Sequence, residues 1–195
     1  MHDNRQMEAR ITFTMPPREP PLPIPGTRFG ALPFFTAAIP PEISGTRNTV
    51  EISLRFRSAL VDWEMWALGV FRADGEPPIA PDSLRSIAPT EVMRLALQNV
   101  GRAILHHDDR TVTEVWDAER PMLHHARDEG PTSANLAAAS EIYTVAQLLR
   151  FPPVVKVADM FGLPQRTATH WVKLARERGH LSQGGKDGAA TDSDQ

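Results

Sequence analysis

"VADMFGLPQRTATHWVKLARERGHL", Val157–Leu181, decides how the chain is read. Its first half places apolar residues at helical spacing up to Gly162, and its second half resumes the period after Pro164 and stops at Gly179. Glycine accepts the left-handed backbone that closes a helix, and proline suits a helix start. The stretch therefore reads as helix, tight turn, helix. Such a motif needs a small residue in the first helix and a glycine four residues later, supplied by Ala158 and Gly162. Leu163, Ala168 and Trp171 wedge the second helix inward, with Val157 and Phe161 closing the core from the first.

Working outward, "SANLAAASEIYTVAQLLR" sets Leu136, Ala139, Ile142, Tyr143, Ala146 and Leu149 at helical spacing. Thr132 or Ser133 offers its cap, and Pro152-Pro153 ends it. A trihelical unit over residues 131–181 follows. With Ala168 and Trp171 turned inward, the third helix exposes Gln165, Arg166, Thr169, His170 and Lys173, beside Thr167. Gln pairs with adenine and Arg with guanine in a major groove, while Thr contacts base or phosphate. Arg150, Lys156, Arg176 and Arg178 are expected nearer the phosphates, where they would position the unit. The less favoured reading makes the same charges a solvated face of a helical bundle that contacts protein.

Residues 133–181, and "RTATHWVKLARERGHL" in particular, resemble helix-turn-helix domains of the homeodomain-like, resolvase and transposase type. The likeness is to the C-terminal domains of small actinobacterial DNA-binding proteins. It covers about a quarter of the chain and implies a DNA-binding role for Gln165 to Lys173. Two departures stand out: Pro164 occupies the place of a frequent Ser cap, and no strand pair follows Leu181 to make a wing.

Charge is distributed to match. The chain of 195 residues carries a net −3, yet residues 150–181 hold six cations against two carboxylates, while residues 1–149 carry −5 and residues 182–195 carry −2. A basic segment on an acidic body points to a polyanion better than total charge does. The absence of cysteine excludes disulfides, thiolate zinc sites and cysteine nucleophiles. No run approaches the ~18 apolar residues of a membrane span, and "MHDNRQMEARI" lacks a signal-peptide core, so a cytoplasmic protein is expected. The 18 Arg against 3 Lys reflect a GC-rich genome rather than a function.

The rest reads as an α+β body. "RITFTM" alternates like a short strand, and six prolines between Pro16 and Pro25 read as an extended surface connector or a proline-motif ligand. "NTVEISLRFR" is a half-buried strand, and a second from Val61 meets a turn signal at Asp74-Gly75. Trp63 and Trp66 are read as core residues or as pocket walls. A helix from Pro89 to about Leu105 is expected to pack on this sheet. The segment with His106-His107 and His124-His125, beside Asp108, Asp109 and Asp117, reads as a solvated connector or as a metal site; each adjacent His pair would offer at most one ligand. The expected order is thus a strand and Pro-rich segment (1–45), a small antiparallel-sheet body with one packed helix and its connector (46–130), the trihelical domain (131–181) and a disordered tail (182–195).

A sequence-specific DNA-binding protein follows, either a transcriptional regulator or a control protein of a mobile element. It is expected to lack enzymatic activity, metal and cofactor, and to dimerise through its body so that two recognition helices read half-sites roughly 34 Å apart on double-stranded DNA. Two other readings stay open: an assembly adaptor that uses the helices for protein contacts, and a recombinase built on Ser53 with Arg55 and Arg57.

Overall fold

The computed structural model describes residues 11–14, 19–72, 75, 78–99 and 101–181. In chain order the elements are β1 (Thr12–Thr14), β2 (Leu22–Pro23), β3 (Phe29–Ala31), β4 (Phe34–Ile39), α1 (Pro41–Ser44), β5 (Thr49–Arg57) and β6 (Asp62–Phe71). There follow α2 (Pro81–Arg85), α3 (Pro89–Asn99), β7 (Ile104–His106), α4 (Val112–Ala126), α5 (Ser133–Leu148), α6 (Pro153–Phe161) and α7 (Gln165–Glu177). The α+β class holds, with two antiparallel sheets ordered β1-β4-β5-β6 and β2-β3-β7.

Alternation builds the larger sheet. Val50, Ile52, Leu54 and Phe56 of β5 point to one face, in register with Phe35, Ala37 and Ile39 of β4, and all are buried. The helix α3 packs on these two strands and buries Val92, Ala96 and Leu97. Trp63 belongs to this core, edge-on to Phe35 and Phe56 at 5.3 Å each. Trp66 does not: a bulge between Ser53 and Leu54 shifts the register, and its indole is 58% exposed beneath the Arg55 guanidinium at 3.9 Å.

Several expectations need correction. The hairpin of β5 and β6 turns at Ser58–Val61 rather than at Asp74-Gly75, with Val61 itself at a φ of +49°. The helix from Pro89 ends at Asn99, not near Leu105. Ile104 and Leu105 instead enter β7, whose ladder with β3 supplies the hydrogen bonds of both segments. The Pro-rich stretch is no mere connector, since Leu22 and Pro23 pair with β3 and Ile24 is 1% exposed. Proline tolerates that place because β2 is an edge strand.

The expected connector after His106 is a fourth correction, for it contains the fifteen-residue α4. A capping box starts it: the Thr111 hydroxyl accepts from the Glu114 N–H, and the Glu114 carboxylate accepts from the Thr111 N–H at 2.7 Å. Val112, Val115, Trp116 and Leu123 bury one face, and α4 packs against α6. Neither His pair makes a metal cluster among the described residues. His106 is buried edge-on to Phe29, with Nδ1 2.7 Å from Asp108 Oδ1. That contact, joined by Arg110, holds the Asp108 carboxyl well below the usual carboxylate range.

One side chain ties the halves together. Arg28, in the turn between β2 and β3, grips Glu119 of α4 through both terminal nitrogens, at 2.7 and 2.9 Å. Its Nε and backbone N–H meanwhile donate to Glu141 of α5, the latter at 2.8 Å. No described helix is long and apolar enough to cross a membrane. The tail expected to be disordered, 182–195, lies outside the described residues.

Candidate nucleic-acid interface

The last three helices pack pairwise on one another. Thr132 caps α5 by accepting from the Asn135 N–H, and the Asn135 amide donates to Ala126 and Gly130 carbonyls at 2.9 Å, which fixes the corner after α4. Pro153 starts α6 and Gly162 ends it at a φ of +63°. The Leu163 N–H then donates back to the Ala158 carbonyl at 2.9 Å, closing the turn. Pro164 provides no side-chain cap for α7. Packing holds that helix instead: Ala168, Trp171, Val172 and Ala175 are buried, and Trp171 meets Phe161 edge-on at 5.2 Å. At the far end the Ser140 hydroxyl donates to the His180 carbonyl at 2.6 Å.

This packing decides which polar side chains remain outside. Gln165, Arg166, Thr169, His170 and Lys173 are exposed along one side of α7, and Thr167 is half-buried. The Thr169 hydroxyl turns back to the Gln165 carbonyl at 2.9 Å, while Lys173 makes only a 3.7 Å approach to Glu177. Arg176 is braced rather than loose, since it donates to the Tyr143 hydroxyl at 2.8 Å and lies over that ring. Arg178 donates to the Pro131 carbonyl at 3.3 Å.

Two expected phosphate contacts face elsewhere. Arg150, at a φ of +59°, is paired with Asp62 of β6 at 2.8 Å, and its carbonyl accepts from the Gln98 amide. Lys156 lies over the Trp116 ring of α4 at 4.7 Å, with Asp159 at 3.5 Å. Both join the C-terminal helices to the body.

Sequence reasoning missed a set of basic side chains on and just after α4. Arg120 binds Asp159 at 2.9 Å, which holds that carboxyl below its ordinary range, and His124 Nε2 lies 3.3 Å from the Asp159 carbonyl. Just past the helix, Arg127 donates to the Gly162 carbonyl at 3.3 Å. Spacings of four and three put these residues on one helical face, a pattern available from the sequence once the segment is taken as helix. They brace the turn that aims α7.

Ser53, Arg55 and Arg57, the residues behind the recombinase reading, alternate along the outward face of β5. The Ser53 hydroxyl shares a 2.9 Å hydrogen bond with Thr36, Arg55 covers Trp66, and Arg57 pairs with Glu64 at 2.7 Å. No family model, curated protein or solved structure matches the chain.

Proposed function

We propose that the protein binds double-stranded DNA through α7, with α5, α6 and α7 acting as a helix-turn-helix domain, and that it serves as a transcriptional regulator or mobile-element control protein at the nucleoid. One observation carries the reading: α7 buries a continuous apolar face while its outward side holds Gln165, Arg166, His170 and Lys173. These side chains match base-edge and phosphate chemistry. Arg176 and Arg178, braced near the C-terminal end, supply backbone contacts.

Specificity from one short helix is limited, so the active form is a dimer. The helix α3 is already committed to β4 and β5, so within the body the interface falls on the edge strand β6. From Trp66 to Phe71 that strand carries neither charge nor proline, and Trp66, Leu68 and Phe71 are exposed. An edge with no strand partner on its outer side among the described residues favours pairing with a second copy.

Selection of bound fragments from a random DNA pool, followed by titration at several salt concentrations, tests the reading. An enriched motif with an affinity that falls steeply with salt is the expected result. Salt-insensitive binding, or none, would turn the assignment toward a protein-contact role for the helices.

A further inference from the structure

The body and the C-terminal helices line a partly open cavity of about 190 Å³ where α3, β7 and α4 meet the segment joining α5 to α6. We propose that this cavity is a binding site for a free apolar α-amino acid. Its walls include Leu97, Ile104 and Leu149, and Trp116 and Phe151 add aromatic surface. Two opposite charges stand among the lining residues, Lys156 and Asp117.

Size limits the occupant. One water needs about 10–15 Å³ on a comparable measure, whereas pockets for drug-sized ligands span roughly 300–1,000 Å³. The space therefore suits a small organic molecule. Charge narrows the class further. Lys156 is the weaker of two cations on Asp159, at 3.5 Å against 2.9 Å for Arg120, so its ammonium has capacity for a ligand carboxylate. Asp117 is 67% exposed, its one cation among the described residues is Arg120 at 4.0 Å, and it can accept from a ligand ammonium. A molecule carrying both charges and an apolar side chain satisfies the walls and the two ions together.

The site has consequences because of what it joins. Leu149, Phe151 and Lys156 belong to the end of α5, the following loop and α6, while the remaining walls belong to the body. A ligand held between them shifts the balance of their relative positions by its differential affinity, and α7 is packed on α6. This coupling rests on the proposed DNA-binding role; occupancy of the cavity does not.

Calorimetric titration of the full chain with leucine, valine and methionine tests occupancy, with 4-methylpentanoate and isoamylamine as probes lacking the ammonium and the carboxylate. At least one amino acid should bind, and both truncated probes should bind at least tenfold more weakly. Lys156→Met, which removes the ammonium over Trp116 and keeps a side chain of similar length, should weaken the amino acid at least tenfold. Gly101→Leu should abolish binding with little change in melting temperature, since Gly101 lines the cavity, lacks a positive φ and has no atom within 4 Å of an added Cβ. No heat from any amino acid at millimolar concentration, or unchanged binding in folded Gly101→Leu, would overturn the site. Equal binding of 4-methylpentanoate would overturn the ligand class. The bound amino acid should then shift DNA affinity by about fivefold or more. Because binding is measured without DNA, failure of the DNA reading leaves the occupancy result intact.

Discussion

Arg150 and Asp62 meet at 2.8 Å across the junction between β6 and the end of α5, with Arg150 held in the left-handed region at a φ of +59°. A residue with a β-carbon reaches that conformation at a cost of roughly 1–2 kcal/mol, so the surroundings must fix it. Both side chains are partly exposed, at 31% and 47%, which keeps the ion pair itself modest. Arg150→Ala and Asp62→Ala should each cost about 0.5–1 kcal/mol in urea unfolding, and the double variant little more than either alone. Full additivity would show that the contact contributes nothing.

Gly162 and His124 make a sharper test of the turn. An added Cβ at Gly162 would stand 3.3 Å from His124 Nε2, and the φ of +63° disfavours it independently. Gly162→Ala should destabilise by about 1–2 kcal/mol, measured by thermal melting. Adding His124→Ala should return only the steric part. Complete recovery would mean that backbone conformation is not what glycine supplies there.

Arg166 and Arg176 should behave differently on DNA. Arg166 stands exposed at the start of α7, whereas Arg176 is held by Tyr143 near its end. Arg166→Ala should cost about 1–3 kcal/mol on the preferred site and relax the preference at one base pair. Arg176→Ala should weaken all sequences alike and lower the salt slope by roughly one unit. An equal loss on specific and random DNA for both variants would remove the recognition role of α7.

The C-terminal helices were readable from the sequence because their punctuation is local: Pro153, Gly162 and Gly179 mark ends that chain geometry alone dictates. The helix α4 was not, although Thr111 and Glu114 spell its cap, because Pro121 and the His124-His125 pair break its apolar stripe. The strands β3 and β4 lie in "FGALPFFTAAI", where Pro33 and adjacent phenylalanines obscure alternation, and their partners are distant. The turn at Ser58–Val61 lacks glycine, so Asp74-Gly75 outweighed it. On α7 the exposed residues followed from helical period, but the engagement of Arg150 with Asp62 and of Lys156 with Trp116 depends on long-range packing that no local pattern encodes.

Acid should loosen the grip of Arg28. Hydrogen bonding to that guanidinium lowers the Glu119 carboxyl below its ordinary value of 4.5, so the folded state holds fewer protons there than the unfolded state. Stability from this pair is then fully present above about pH 4.5 and is lost as pH falls through the depressed folded value. Denaturant midpoints measured from pH 6 to pH 3 should fall less steeply for Glu119→Gln than for the parent chain. Parallel curves would assign the acid sensitivity to other carboxylates.

The edge of β6 should control association. Phe71 is 51% exposed, so Phe71→Lys should leave unfolding of the protomer within about 0.5 kcal/mol while weakening self-association at least tenfold in sedimentation equilibrium. A parent chain that stays monomeric at micromolar concentration, with and without DNA, would remove the dimer.

The bond between Arg28 and Glu141 also sets an order of events during synthesis. The two residues are 113 positions apart, and a ribosome adding roughly 5–20 residues per second needs on the order of ten seconds to travel between them. Until Glu119 is added, 91 residues after Arg28, the nascent β2–β3 turn presents a guanidinium with neither of its carboxylates yet made. The small sheet cannot reach its final arrangement until α4 and α5 have left the exit tunnel. Ribosome-bound chains stalled before Glu141 should therefore be more open to protease at this turn than chains stalled well after it.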